Sequence, residues 1–258
     1  ETQERTSRVL PDLSHMMSVS TPAMQLTMRT GNKRLMLIQG DTGAGKSTAL
    51  NHVAAQLPGS VVIVEADESW DSKTAAAAAL CLKLGVKIKG NAVRSEDDLP
   101  RNFARLQSLL ITTLQSRRII GIDEGHHMSG EVLNLIKTLI NKTNGVFIIA
   151  ALPTLWRKLQ ANSWEEAKQL KLNRLFASVM LNGPTAEDAM KYFASHLKLT
   201  GDVKKAVASV AEASARFGCM AFLESVVDQC AAYGAADEAD TATLIKAATD
   251  VKARCEGR

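Results

Sequence analysis

Aromatic residues, prolines and cysteines are scarce in this sequence of 258 residues. Aromatic residues make up 4% of it, and there are six prolines and four cysteines. A composition with 46% hydrophobic and 22% charged residues excludes a collagen-like or largely disordered chain. The cysteines have neither a Cys-x-x-Cys pair nor the histidine spacing of a zinc site: they are Cys81, Cys219, Cys230 and Cys255. We therefore expect an aliphatic core and free thiols.

Long apolar runs and a strong excess of one charge are also missing. The longest apolar run, at about 146–152, is far shorter than the ~20 residues that span a bilayer, and the N-terminus lacks the apolar core of a signal peptide. These features predict a cytoplasmic protein that has no contact with a membrane. The net charge of +4 does not by itself predict a nucleic-acid partner. The positive charge is concentrated in the first two thirds of the chain.

Short apolar runs alternate with helix-length segments through most of the chain, and this predicts an α/β fold. Strands that alternate with helices at this spacing favour a parallel five-stranded sheet sandwiched by helices, and their apolar runs fit strands buried on both faces. Ligands are then expected at the carboxyl ends of the strands. The predicted strands are 34–39, 61–64, 119–122, 146–150 and 178–181. The predicted helices are 46–56, 73–84, 99–115 and 130–141, with further helical sequence from 153 to 175.

The pattern changes after Pro184, where helix-length segments follow one another without a strand. These segments are 185–197, 203–216, 220–233 and 241–254. We predict a small all-helical C-terminal domain over 184–258, a nucleotide-binding α/β domain over 21–183 and an N-terminal extension over 1–20.

A glycine loop between the first predicted strand and helix is the strongest functional signal. It matches the Walker A pattern GxxxxGK[ST] in the strand-to-helix context that the pattern requires. Backbone N–H groups of such a loop converge on phosphate oxygens, and the helix N-terminus adds its positive dipole end. The candidate nucleotide-binding residues are Gly40, Asp41, Thr42, Gly43, Ala44, Gly45, Lys46, Ser47 and Thr48.

Two functional groups of this loop have specific predicted roles. The Lys46 ammonium group is expected to contact the β- and γ-phosphates of ATP. The Ser47 hydroxyl is expected to ligate Mg²⁺.

The third predicted strand runs into Asp123 and Glu124, as in the second half of a nucleotide site. An aspartate at the carboxyl end of a strand can hold Mg²⁺ through water, and an adjacent carboxylate can orient or deprotonate the attacking water. Glu124 therefore favours hydrolysis over phosphate transfer to a small acceptor. ATP and Mg²⁺ are the predicted cofactors.

Other polar residues near these motifs have more than one interpretation. His126 and His127 follow the carboxylates, but adjacent histidines seldom face one ion and no third ligand is apparent, so we favour a solvated loop. One of them could instead sense the γ-phosphate or face a neighbouring subunit. Asp67 could contact the site or cap the helix that follows it.

The order of these motifs resembles the AAA+ superfamily: a P-loop, an extra strand, a strand ending in Asp-Glu, a strand in the sensor position and a helical lid. Within it, the Gly-Asp-Thr-Gly-Ala-Gly-Lys-Ser-Thr loop and the Ile-Asp-Glu-Gly-His-His-Met segment are similar to the transposition ATPases. These include phage Mu transposition protein B, TnsC and TniB-like proteins. The likeness covers about residues 20–235.

The resemblance implies an ATPase that assembles with ATP into helical filaments or rings on double-stranded DNA and recruits a transposase. The resemblance also assigns the Walker roles by position, to Lys46, Ser47, Asp123 and Glu124. Arg174 stands where such proteins place an arginine finger. The DNA contacts implied by position are Lys73, Lys87, Lys89 and Arg94. The loop that carries the last three has no aromatic residue, so contacts to backbone phosphates are expected rather than base stacking.

Two departures from the family pattern predict slow basal hydrolysis that rises when a partner, DNA or another subunit completes the site. The fourth strand ends without Asn or Thr in the sensor 1 position, although Thr154 is near, and the sensor 2 segment 217–222 has no arginine, Arg216 being nearest. Two other functions stay open. One is a signalling or defence switch of the STAND type that does not use DNA, and the other is an ATPase of the helicase-loading kind.

Overall fold

The apolar runs of the sequence form the central sheet. This computed structural model describes residues 13–160, 165–235 and 238–257. The sheet strands are β1 (Leu35–Gly40), β2 (Val61–Glu65), β5 (Ile119–Asp123), β6 (Val146–Ala151) and β7 (Leu175–Leu181). β1 and β6 are buried along their whole length, as expected for a parallel sheet covered on both faces. The five-stranded parallel sheet predicted from the sequence is confirmed.

The order of the strands in the sheet is β2-β5-β6-β1-β7. The registers of the parallel pairs align Val61 with Ile119, Ile119 with Val146, and Leu35 with Phe147. All carboxyl ends therefore lie at one edge of the sheet, and the residues that lead into the strands lie at the opposite edge. We call this opposite edge the amino edge.

Helices flank this sheet, and most of them begin close to where the sequence pattern predicts. They are α1 (Ser14–Met28), α2 (Lys46–Gln56), α3 (Lys73–Lys83), α4 (Phe103–Thr113), α5 (Gly130–Lys142), α6 (Pro153–Gln160) and α7 (Glu165–Arg174). α1 is not predicted from the sequence, and it crosses the expected boundary at residues 20 and 21. The domain boundaries themselves stay a prediction.

The chain divides into two compact units, which we describe separately. Among the described residues, the second unit contains 19–40 and 46–180, and the first contains 13–18, 41–45 and 181–257. The first unit is helical, with α8 (Ala186–His196), α9 (Lys204–Phe217), α10 (Cys219–Ala232) and α11 (Thr241–Cys255). It also has one short parallel pairing, β8 (Lys198–Thr200) with β9 (Glu238–Asp240), which the sequence pattern does not show.

The four cysteines are free thiols, as expected. Cys81, Cys219 and Cys230 are buried, and Cys255 is exposed. Burial raises the pKa of Cys81 to about 12, so this thiol stays protonated at neutral pH and serves the core. Within the described residues, no helix combines the length and the apolarity needed to cross a membrane.

Candidate nucleotide site and basic hairpin

The glycine loop follows β1 directly and ends where α2 begins. Gly43 and Gly45 have φ angles of +78° and +85°, which only glycine adopts without strain. The Ala44 N–H donates to the Asp41 carbonyl at 3.1 Å and closes the turn. The local geometry is thus the strand, glycine turn and helix that the Walker A pattern requires.

A lid helix of the first unit contacts this loop through its backbone. The N–H groups of Met220 and Ala221, at the start of α10, donate to the Gly43 carbonyl at 3.0 and 3.3 Å. A Cβ atom on Gly43 would lie 2.2 Å from the Gly218 carbonyl oxygen. The sequence marks a helix break near Gly218 but gives no sign of this contact, since the partners are far apart in the chain.

Lys46 is the first residue of α2, and only 6% of it is exposed. Ser47 and Thr48 follow on the same turn and are partly buried. A buried ammonium group needs polar or anionic partners, and at the start of a helix the dipole also favours anions. This donor set fits a nucleotide phosphate, with Lys46 and Ser47 as the residues that would hold it.

Asp123 and Glu124 lie at the carboxyl end of β5. Asp123 is the last residue of the strand and stands in register with Glu65 of β2. The Glu124 N–H donates to Asp123 Oδ1 at 2.9 Å, and Glu124 has φ and ψ of 50° and 32°. This left-handed conformation is uncommon for a residue with a side chain, and it ends the strand sharply at the candidate catalytic carboxylate.

The two histidines after Glu124 lie beside its carboxylate. His126 Nδ1 is 3.2 Å from Glu124 Oε2, and the His126 and His127 rings are 4.2 Å apart between centroids. Ligand atoms of Glu124, His126 and His127 all lie within 4.8 Å of one another. Glu124 therefore places a third possible ligand group beside the two imidazoles, and this proximity is not apparent from the sequence.

Asp67 acts as the cap of a short helical turn. Its carboxylate accepts hydrogen bonds from the N–H and the hydroxyl of Ser69. These bonds lower the pKa of Asp67, as expected when they stabilise the ionised form. The capping alternative for Asp67 thus has direct support.

Thr154, near the sensor 1 position, is a partly buried residue of α6.

The basic segment after α3 is a β-hairpin, where the sequence suggests only a loop. Lys87 pairs with Ala92 and Ile88 with Asn91 in the two short strands, β3 (Lys87–Ile88) and β4 (Asn91–Ala92). Lys89 and Gly90 form the turn with φ angles of 50° and 88°, as in a type I′ hairpin.

Buried valines anchor this hairpin, and its cations face solvent. The Val93 N–H donates to the Val86 carbonyl at 2.9 Å, and both valines are buried. Lys87, Lys89 and Arg94 are exposed. The Asp98 carboxylate accepts from the backbone N–H groups of Arg94 and Ser95, which lowers the pKa of Asp98.

The other two cations named in the sequence analysis have partners within the second unit. Lys73 Nζ lies 3.2 Å from Glu131 Oε2 and 5.3 Å from the centre of the Phe103 ring. Arg174 ends α7, and its Nε donates to Asn141 Oδ1 at 2.5 Å. Neither cation is therefore as accessible as those of the hairpin.

Solved structures show the same fold at low sequence identity. Thermotoga maritima RuvB, described as a Holliday junction branch migration motor, is 15% identical with a TM-score of 0.54, over 94% of this chain and 70% of that chain. The Walker-type ATPase PABY2304 of Pyrococcus abyssi is 13% identical with a TM-score of 0.56, over 92% and 72%. C. elegans PCH-2 is 9% identical with a TM-score of 0.52, over 94% and 68%.

The fold and the Walker loop define a P-loop ATPase of the AAA+ type. The family model for the AAA domain matches residues 28–159, which include both Walker segments and the hairpin. The chain belongs to the AAA domain family. Membership suggests ATP hydrolysis and implies nucleotide binding, usually with Mg²⁺. No curated protein sequence matches this chain closely enough to count as a relative.

Proposed function

We propose that this protein is an ATP-dependent double-stranded DNA-binding ATPase of DNA transposition. With ATP bound, it assembles on target DNA as a homo-oligomer, a helical filament or a ring, and recruits a transposase that stimulates hydrolysis. The observation that carries the DNA part is the exposed basic hairpin on an AAA+ core.

The hairpin suits phosphate contacts because its cations are exposed and its backbone is fixed. None of the ion pairs among the described residues includes Lys87, Lys89 or Arg94, although Arg94 is close enough to Asp98 to help lower the pKa of that carboxylate. Cations on a rigid hairpin contact phosphates without a large ordering cost. Lys73 is also proposed as a DNA contact, although it must first leave Glu131.

The nucleotide part of the proposal assigns roles to the Walker residues. Residues 40–48 bind ATP, with Lys46 on the β- and γ-phosphates. Ser47 and Asp123 hold Mg²⁺, which supplies charge neutralisation at the phosphates. Glu124 orients or deprotonates the attacking water.

Assembly follows from the small number of cations that one hairpin offers. Non-specific duplex binding draws its affinity from neutralised phosphates, and a few contacts bind weakly. Linking many protomers along one duplex converts weak contacts into avidity. In this assembly Arg174 leaves Asn141 and reaches the γ-phosphate of the neighbouring protomer.

The central experiment is electron microscopy and fluorescence anisotropy with a labelled duplex of mixed sequence, with and without ATP. The parent protein should assemble on the duplex only with ATP, and Lys46→Ala should not assemble. A double variant with Lys87→Gln and Lys89→Asn should bind ATP normally and lose duplex affinity, since Asn preserves the left-handed turn. A matched control is Lys204→Gln with Lys205→Gln, which removes two exposed lysines of α9.

Two results would count against the proposal. If Lys46→Ala assembled on duplex as readily as the parent, nucleotide would not drive assembly. If the hairpin variant kept the parent's affinity and salt dependence, the DNA contacts would lie elsewhere or be absent, as in a STAND-type switch. Capture of a replicative helicase in place of a transposase would favour the loader function.

A further inference from the structure

The amino edge of the sheet, opposite the Walker residues of the second unit, has a concentration of positive charge. Segments 29–34, 113–118 and 141–145 lead into β1, β5 and β6. They contain six basic residues and no acidic residue. The whole chain, by contrast, has 31 basic and 27 acidic residues. Five of the six reach solvent, and we call these five the edge patch: Arg29, Lys33, Arg117, Arg118 and Lys142.

Hydrogen bonds from three arginine side chains to backbone carbonyls fix the positions of these cations. The sixth cation, Arg34, is buried, and its Nη2 donates to the Ile140 carbonyl at 2.6 Å. Arg117 Nη2 donates to the Arg29 carbonyl at 2.6 Å. Arg118 Nη1 donates to the Leu84 carbonyl at 3.3 Å, two residues before the hairpin begins at Val86. The patch therefore adjoins the base of the basic hairpin.

Carboxylates do not neutralise these cations within the described part of the chain. None of the ion pairs found there includes Arg34 or a member of the edge patch. The pKa of Arg34 is lowered mainly by burial and to a smaller extent by repulsion from Arg117 and Arg174. An anion bound at this edge would relieve that repulsion.

The negative ends of the helix dipoles neutralise only part of the positive charge at the amino edge. The carboxyl ends of six helices lie at this edge, since each leads into a sheet strand or is contacted by an edge arginine: α1, α2, α3, α4, α5 and α7. Each end carries about −0.5 of an elementary charge, which gives about −3 against six formal positive charges. An excess of about +3 remains for an external anion.

The geometry suits a duplex better than a single strand. β5, β6 and β1 are neighbours in the sheet, so the row of cations is continuous. It is about 10 Å wide at a strand spacing of ~4.8 Å, similar to the ~12 Å width of the DNA major groove. The three segments contain no aromatic residue for base stacking. The Phe176 ring is covered by Arg29, whose Cζ lies 4.6 Å from the ring centre.

We infer that the edge patch is a second contact surface for the phosphates of double-stranded DNA, separate from the hairpin and from the nucleotide. The inference rests on the proposed function for the identity of its ligand. It predicts that part of the duplex affinity is present without ATP and depends on the amino edge.

The test uses the full chain with Lys33→Gln and Lys142→Gln combined. Neither lysine side chain has a hydrogen bond or ion pair among the described residues, so the fold and the thermal midpoint should be unchanged. Anisotropy with the labelled duplex is measured over a salt series, with and without ATP. Affinity should fall on the order of ten-fold at 0.1 M salt, and the slope of log K against log salt should become about 2 less negative. The control is again Lys204→Gln with Lys205→Gln.

Several outcomes would overturn the inference. One is a variant with Lys33→Gln and Lys142→Gln that keeps the duplex affinity of the parent protein and its slope of log K against log salt. Another is loss of ATP-driven assembly with unchanged duplex affinity of the nucleotide-free protein, which would make this edge a contact between subunits. Displacement of the duplex by polyglutamate at equal charge concentration would point to an acidic protein partner. Lys46→Ala separates the proposed function from the inference on the edge patch. It should remove only the ATP-dependent increase in duplex affinity and leave duplex binding by the edge patch intact.

Discussion

The Met220 N–H donates to the Gly43 carbonyl, so the start of α10 is hydrogen-bonded to the middle of the Walker A loop. A sensor 2 arginine would contact the nucleotide through a side chain. Here the contact to the loop is made by backbone groups, and it depends on a glycine at position 43. The closeness of the Gly218 carbonyl makes this dependence testable.

Gly43→Ala should weaken ATP binding. The added Cβ atom would lie 2.2 Å from the Gly218 oxygen, so the loop or α10 must move. The control is Gly59→Ala, where φ is also positive at +74° but no atom lies within 4 Å. Calorimetric titration with a slowly hydrolysed ATP analogue should show a loss for Gly43→Ala only. Equal losses in the two variants would mean that backbone strain, not the collision, is responsible.

Glu124→Gln should separate ATP binding from hydrolysis. The amide keeps the size of the side chain but cannot act as a base, and general base catalysis contributes about 10²- to 10⁴-fold. We expect unchanged nucleotide affinity and hydrolysis reduced by about 100-fold or more, measured as phosphate release. Normal turnover in this variant would exclude Glu124 as the base.

His126→Ala should raise basal ATP turnover. His126 lies 3.2 Å from the Glu124 carboxylate and competes with the attacking water for it. A partly exposed pair of this kind contributes about 0.2–1 kcal/mol, which limits the increase to about five-fold. His127→Ala is the control, since no ion pair between His127 and Glu124 is found among the described residues. Slower turnover in His126→Ala would instead indicate that His126 orients the carboxylate for catalysis.

The arginine finger proposal predicts complementation between two inactive variants. Arg174→Ala lacks the finger, and Lys46→Ala lacks the phosphate lysine. In a mixed assembly, an Arg174→Ala protomer can receive the finger of a Lys46→Ala neighbour, so phosphate release should recover in part. Asn141→Ala removes the intrachain acceptor of Arg174 and should stay active. A mixture as inactive as its components would place the role of Arg174 within its own subunit.

Asp188→Asn should destabilise the first unit in a pH-dependent way. Burial alone would raise the pKa of Asp188, but hydrogen bonds from Ser14 and Thr185 outweigh it and lower the pKa. The charged form thus adds stability above the unfolded pKa of about 3.9, and this is lost as the pH falls through the lower native pKa.

We expect Asp188→Asn to lose about 1–3 kcal/mol of the free energy of unfolding at neutral pH. The difference from the parent should shrink in denaturant titrations below about pH 4. Asp228→Asn, at an exposed position of α10, should change little at any pH. A loss that stayed constant down to pH 2 would show that the charge of Asp188 is unimportant.

The sheet and both Walker segments could be predicted from the sequence because each depends on local pattern. β1, β2, β5 and β6 each contain a continuous apolar run, and Gly40 to Ser47 match a motif whose spacing is fixed by phosphate geometry. α1 is not predictable from the sequence because Pro22 lies inside it and its apolar residues form no clear face. The hairpin is not predictable because each of its strands has two residues, too few for an alternating pattern.

Other features of the site depend on contacts between residues that are distant in sequence. The left-handed conformation of Glu124 leaves no mark on residue type, since glycine or asparagine would be expected there. The edge patch is made of three separate segments, and only the order of the strands brings them together. The resemblance to transposition ATPases and the DNA role stay predictions.

The short pairing of β8 with β9 joins residues 198–200 to 238–240 and thereby closes a loop that contains α9 and α10. The chain has to be present as far as Asp240 before this closure forms, and α11 begins directly after it. The helical unit should therefore melt as one cooperative block, and a chain shortened before β9 should be degraded by proteases from Lys198 onward.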